Sequence, residues 1–142
     1  MRLRLTLDEP SGGFAPRDRI AGSVEVNADG PWECDRAEVV LFWRTEGRGD
    51  EDHGVAEVLE LAPPKQSAQP SIRRSFLFTA PVFPWTYHGR AIKIHWVLGV
   101  YVKEKRQPEE HEEVALVIHP RHASFAAKAP ELPPPPDWAP PA

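Results

Sequence analysis

From Ile92 to Val102 every second residue is apolar: Ile92, Ile94, Trp96, Leu98, Val100 and Val102, with Lys93 and His95 between them and Lys103 following. Successive side chains of an extended chain point to opposite faces. A period of two therefore marks a strand with one face on a core and the other toward solvent. The pattern recurs. Leu3, Leu5 and Leu7 share a face opposite Arg2, Arg4 and Thr6, and Ile20, Gly22, Val24 and Val26 repeat it. Ala37, Val39, Leu41 and Trp43 do so within Asp35–Thr45, and Gly54–Leu61 is a noisier fourth run. Ile72, Phe76 and Phe78 mark another, with Arg74 out of pattern, and Val114, Leu116 and Ile118 close the set.

Turn residues separate these seven runs at Ser11-Gly12-Gly13, Ala28-Asp29-Gly30-Pro31, Gly47-Arg48-Gly49-Asp50 and Pro63-Pro64. No window carries a capped apolar stripe of helical period. Many short strands with Gly/Pro turns and no helix predict an all-β chain folded as an antiparallel two-sheet β-sandwich of about seven strands. The end differs in kind. Seven of the 17 prolines fall within residues 130–142, and proline cannot donate to a strand ladder. The sandwich is thus expected over residues 1–124, with residues 125–142 a Pro-rich tail, extended or disordered.

At 142 residues, 41% hydrophobic and 27% charged, the chain has one domain's length and a globular composition. A net charge of -4 argues against nucleic acid, whose backbone is held by accumulated Lys and Arg. Cys34 is the single cysteine, so no disulfide forms within the chain. The N-terminus alternates from its first residues without the apolar core of a secretory signal, and no apolar run reaches the roughly 20 residues of a membrane span. A cytoplasmic protein with no transmembrane segment is the expectation.

One block resembles a known family. Ser75-Phe-Leu-Phe-Thr-Ala-Pro81 leads into Pro84-Trp-Thr-Tyr-His-Gly89 and then Ile92-Lys-Ile-His-Trp96. This is similar to the N-terminal domain of the arrestin family, where Phe-x-Phe-x-x-Pro precedes Pro-x-Ser/Thr-aromatic-x-Gly and a strand carrying Ile-x-aromatic. Pro84, Thr86, Tyr87, Gly89, Ile94 and Trp96 occupy those places. Ile20-Ala-Gly-Ser-Val-Glu-Val26 resembles the family's early Gly-x-Val-x-Val strand, and Leu41-Phe-Trp-Arg-Thr-Glu-Gly47 the strand after it, especially in bacterial arrestin-like proteins. The resemblance covers roughly Met1 to His119, one immunoglobulin-like or arrestin-like sandwich, whereas full arrestins have two. It implies an adaptor fold that binds proteins. In the residues themselves, Pro81 and Pro84 force a crossing between strands, Tyr87 is placed to pin that corner, and Gly89 is expected to supply a backbone conformation closed to other residues.

Chemistry is harder to find. Asp50-Glu-Asp-His53, Glu109-Glu-His-Glu-Glu113 and His119-x-x-His122 offer ligand atoms, but none matches a zinc or EF-hand spacing, and solvated turns and edges usually carry such residues. No metal and no cofactor are expected. No nucleophile elbow occurs, and Cys34 lies at a strand entrance with no helix N-terminus to acidify it, so no catalytic residue is assigned. Arg48-Gly49-Asp50 reads as a charged turn. Five tryptophans raise the alternative of a small-ligand or carbohydrate-binding sandwich. Trp43 and Trp96 fall in register with core residues, however, and Trp32, Trp85 and Trp138 lie in loops or tail without forming a row.

The remaining candidates are surfaces. If Leu41 and Trp43 face inward, Val40 and Phe42 face outward, and on the long strand Val97 and Tyr101 oppose Trp96 and Leu98. Four apolar residues on an outer face predict a site for a protein partner or self-association. In the tail, Pro135, Pro136 and Trp138 approximate the Pro-Pro-x-Tyr ligand of WW domains, with Trp in the place of Tyr. A non-catalytic interaction or scaffold module, without an obligatory small molecule, is the functional expectation. A third option is an accessory unit that works beside another domain.

Overall fold

The computed structural model describes residues 1–48 and 51–120. The expected boundary near residue 124, the tail motif Pro135, Pro136 and Trp138, His122, and Gly49-Asp50 of the turn lie outside the described residues.

Each of the seven alternating runs is a strand. They are β1 (Arg2–Leu7), β3 (Arg19–Asn27), β4 (Trp32–Gly47), β5 (His53–Glu60), β7 (Ser71–Thr79), β9 (Ile92–Glu104) and β10 (Glu110–Ile118). Three short strands join them: β2 (Gly13–Phe14), β6 (Gln66–Ala68) and β8 (Tyr87–His88). One sheet has the order β1-β3-β7. The other runs β2-β10-β9-β4-β5, with β6 paired to β4 and β8 to β9. Among the described residues all pairings are antiparallel except that of β2 with β10. The fold is a two-sheet β-sandwich.

The core lies between the sheets. Ile20, Val24 and Val26 from the small sheet meet Val39, Leu41, Trp96, Leu98 and Val100 from the large one, all within 1% of full burial. Gly22 lets β1 and β3 approach closely: a β-carbon there would stand 2.1 Å from the Thr6 carbonyl oxygen and 2.6 Å from the Phe76 ring.

Trp32 corrects the sequence reading. It is a buried core residue in β4, its indole N–H donating to the Gln69 carbonyl at 3.0 Å, rather than a loop residue. The alternation read over Asp35–Thr45 does not reach Trp32, because its phase breaks between Cys34 and Arg36. Trp32 and Cys34 face inward on even numbers, Ala37, Val39 and Leu41 on odd ones. A bulge between Cys34 and Arg36 absorbs the extra residue, so one strand carries both phases. A second irregularity lies opposite Leu41/Phe42. There Leu41 pairs with Glu57 and Phe42 with Val55, leaving Ala56 unpaired, which accounts for the noise along β5.

The crossing between β7 and β9 is held by groups other than the one expected. The Trp96 indole N–H donates to the Pro84 carbonyl at 2.7 Å. Thr86 clamps β10 twice: its N–H donates to the Ile118 carbonyl at 2.8 Å, and its hydroxyl accepts from the Ile118 N–H at 2.9 Å. The buried Tyr87 hydroxyl has no hydrogen-bond partner among the described residues. Gly89 is required for space, not for a left-handed backbone. A β-carbon on it would lie 2.3 Å from the Tyr87 ring. The peptide bond before Pro84 is cis.

Candidate interaction surface

Alternation on the straight part of the large sheet sends one set of side chains away from the core. Read across β10, β9, β4 and β5, the pairing builds four rows on this outer face. The first is His111, Tyr101, Glu38 and Glu60; the second is Glu113, Gly99, Val40 and Val58. The third is Ala115, Val97, Phe42 and Val55, and the fourth carries His95, Arg44 and His53. The middle rows are largely apolar. The flanking rows are polar.

Val40, Phe42, Val97 and Tyr101 are thus brought together on one face, as their register requires. Val40 and Val97 are buried, 5% and 4% exposed, yet neither belongs to the core cluster between the sheets. A second, smaller apolar layer exists on the outside. Phe42 and Tyr101 are half-buried, their rings tilted toward each other at 6.3 Å. The exposed apolar area continues onto β5, where Val55 and Val58 are 60% and 52% exposed. Sequence reasoning missed both valines. They are three residues apart and share a face only because Ala56 is bulged, so simple alternation placed them on opposite sides.

Tyr101 is the most constrained member. Its ring folds back over Gly99, where a β-carbon would collide with it, and its hydroxyl donates to a Glu113 carboxylate oxygen. Arg36 lies over the ring at 5.2 Å, and His111 stacks on it at 5.9 Å. Burial, then the bond to Glu113 and that residue's charge, push the phenol well above the usual tyrosine range.

Beside the apolar rows a groove of about 670 Å³ is walled by the β4–β5 hairpin and floored by Phe42, Val97 and Ala115. His95 bonds Glu46 at 2.8 Å across its lower end and, with Lys93, holds that carboxyl below its ordinary value. Arg44 reaches Glu113 only at 3.9 Å. Among the described residues no tryptophan lines the groove. Trp32 and Trp96 are buried, Trp43 packs partly against the core, and Trp85 sits beside His119 at 5.5 Å. Among the described residues no cluster of three or more His, Cys, Asp or Glu side chains is arranged for a metal ion, and no helix is long and apolar enough to cross a membrane.

No protein-family model matches the chain, and no curated protein matches it significantly. Among solved structures it is similar to the sporulation control protein Spo0M of Bacillus subtilis. The match has a TM-score of 0.62 at 10% identity and covers 82% of this chain and 48% of that one. The likeness is one of fold. The chain spans about half the length of that structure. The shared fold agrees with the sandwich architecture that the resemblance around Pro84–Trp96 implies.

Proposed function

We propose that this chain is a non-catalytic, cytoplasmic protein-interaction module of the bacterial arrestin-like type, and that it docks a protein through the outer face of its large sheet. The observation that carries this reading is the second apolar layer. A two-layer sandwich ordinarily turns polar residues outward. Here Val40 and Val97 are buried on the outside, Phe42 and Tyr101 cap them, and Val55 and Val58 leave the layer open at its β5 end. Covering that end would gain about 25 cal/mol per Å² of apolar area removed from water. The likeness to a protein named for sporulation control supports a regulatory role without naming a partner.

The test is affinity capture from the native host with wild type and with the double variant Phe42→Ser/Tyr101→Ser. The variant is expected to lose the captured protein while staying folded in a urea melt. A folded variant that retains every partner sinks the reading.

The groove supports a second reading, a small-ligand site, since its volume lies within the roughly 300–1,000 Å³ of ligand pockets. Its carbohydrate form loses support because no tryptophan ring among the described residues lines the groove for a sugar to stack on.

A further inference from the structure

The outward residues of β4, taken in order past its bulge, are Arg36, Glu38, Val40, Phe42, Arg44 and Glu46. Their charges read plus, minus, none, none, plus, minus. Reversed, the string reads minus, plus, none, none, minus, plus. A strand with this pattern is therefore complementary to itself laid antiparallel. Arg36 meets Glu46 of the second copy, Glu38 meets Arg44, and Val40 meets Phe42.

The strands flanking β4 obey the same operation, whereas on β10 it sets Glu113 over the second copy's Ala115 and makes no charge pair. On β5, reversal sets Glu60 over the second copy's His53 and Val58 over its Val55. On β9 it sets Tyr101 over the second copy's His95, beside the groove floored by Phe42 and Val97. One like-charged pair results, Lys103 over the second copy's Lys93, at the rim where solvent and salt screen it. Each of these charges already has a partner within its own chain: Arg36 with Glu38 and Glu109, Arg44 with Glu113 at 3.9 Å, and Glu46 with His95. The pairs are solvent-exposed, so exchanging them for partners on the second copy costs little. Arg36, Arg44 and Glu46 side chains are 44%, 54% and 64% exposed, and Glu38 is 24% exposed.

We propose that two copies of the chain stack the outer faces of their large sheets about a two-fold axis running across the strands, β4 over β4 in opposite directions. The proposal rests on the interaction reading of this face and names its occupant, a second copy. A two-fold contact uses one patch twice and closes at a dimer. Strands about 4.8 Å apart and outward positions about 6.8 Å apart give four strands and six positions a footprint of at most roughly 800 Å². Even with every position in contact that only reaches the roughly 800 Å² per partner of a standard interface, so a weak dimer, with a dissociation constant in the micromolar range, is expected.

The experiment is sedimentation across a micromolar concentration series, with native mass spectrometry of mixtures. Wild type is expected to shift from monomer to dimer. Glu38→Arg and Arg44→Glu alone each place like charges across the axis and are expected to weaken dimerisation about tenfold or more. Mixed one to one, they restore both pairs, and the heterodimer is expected to form near wild-type strength. Arg36→Glu and Glu46→Arg repeat the design with rim residues should either central variant unfold on heating. A wild type that stays monomeric, or a mixture no better than its components, overturns the dimer. If wild type stays monomeric while Phe42→Ser/Tyr101→Ser still loses a captured protein, the face docks a different protein, and only the dimer inference falls.

Discussion

The indole N–H of Trp96 donates to the carbonyl of Pro84 across 2.7 Å in the buried interior, tying the longest regular run of the large sheet to the crossing that brings the chain to it. The ring does two jobs. It fills the core at 1% exposure and satisfies a carbonyl that no strand partners.

Trp96→Ala is expected to cost about 3–5 kcal/mol, the usual range for deleting a large buried aromatic. Trp96→Phe keeps most of the volume but orphans the Pro84 carbonyl, and is expected to cost about 1–3 kcal/mol. Urea melts of the three proteins check the order wild type, Phe, Ala. Equal stability of Phe and wild type would show that the hydrogen bond contributes nothing net.

Gly22→Ala tests the close approach of β1 and β3. The new carbon would meet backbone, the Thr6 carbonyl oxygen at 2.1 Å, which cannot turn aside as a side chain can. Overpacking of this kind costs about 1–3 kcal/mol. The expected signature is a lowered thermal midpoint with hydrogen exchange accelerating first in Arg2–Leu7. A midpoint equal to wild type would mean that the pair spreads at no cost.

Tyr101 carries a pH prediction. The folded protein holds its phenol protonated above the ordinary value of 10.0, through burial first and Glu113 second. The unfolded chain releases that proton near pH 10, so above it the unfolded state binds fewer protons. The stability linked to Tyr101 is intact below pH 10 and declines as pH rises beyond it. In a Tyr87→Phe background, the absorbance change of tyrosinate is expected above pH 10, and Glu113→Gln is expected to move it down. An unchanged midpoint in Glu113→Gln would leave burial as the sole cause.

Cys34 is fully buried in β4, and desolvation raises its thiol above the ordinary value of 9.0. Native protein is expected to resist a thiol reagent at pH 8 and to react only as urea unfolds it, because the thiolate is the nucleophile. Its linked stability likewise falls as pH rises through about 9, where the unfolded thiol ionises. Rapid labelling without denaturant would place Cys34 at the surface.

Alternation made β9 legible residue by residue, and with it the outward direction of Val97 and Tyr101, because a strand without a bulge has one phase. The same rule misjudged Trp32 and overlooked Val55 and Val58. Those residues sit beyond or beside an irregularity, and an inserted residue flips the face of everything past it. The crossing motif was recognisable, but the assignment of work within it was not. Thr86 and Trp96 hold the corner, while Tyr87 supplies a ring against Gly89.

The local period of two was sufficient to determine the all-β class, the seven long strands and the charge order along the outward side of β4. Those properties depend only on neighbours in the chain. Tertiary structure decided the rest. Pairing β4 between β9 and β5 set Phe42 beside Val97 and Val55 and placed Arg44 between two histidines. It also folded the Tyr101 ring over Gly99 against Glu113, residues from a strand and a neighbour that the sequence holds apart. Which outward residues become buried depends on what lies across the strand, and that is a property of register, not of any one segment.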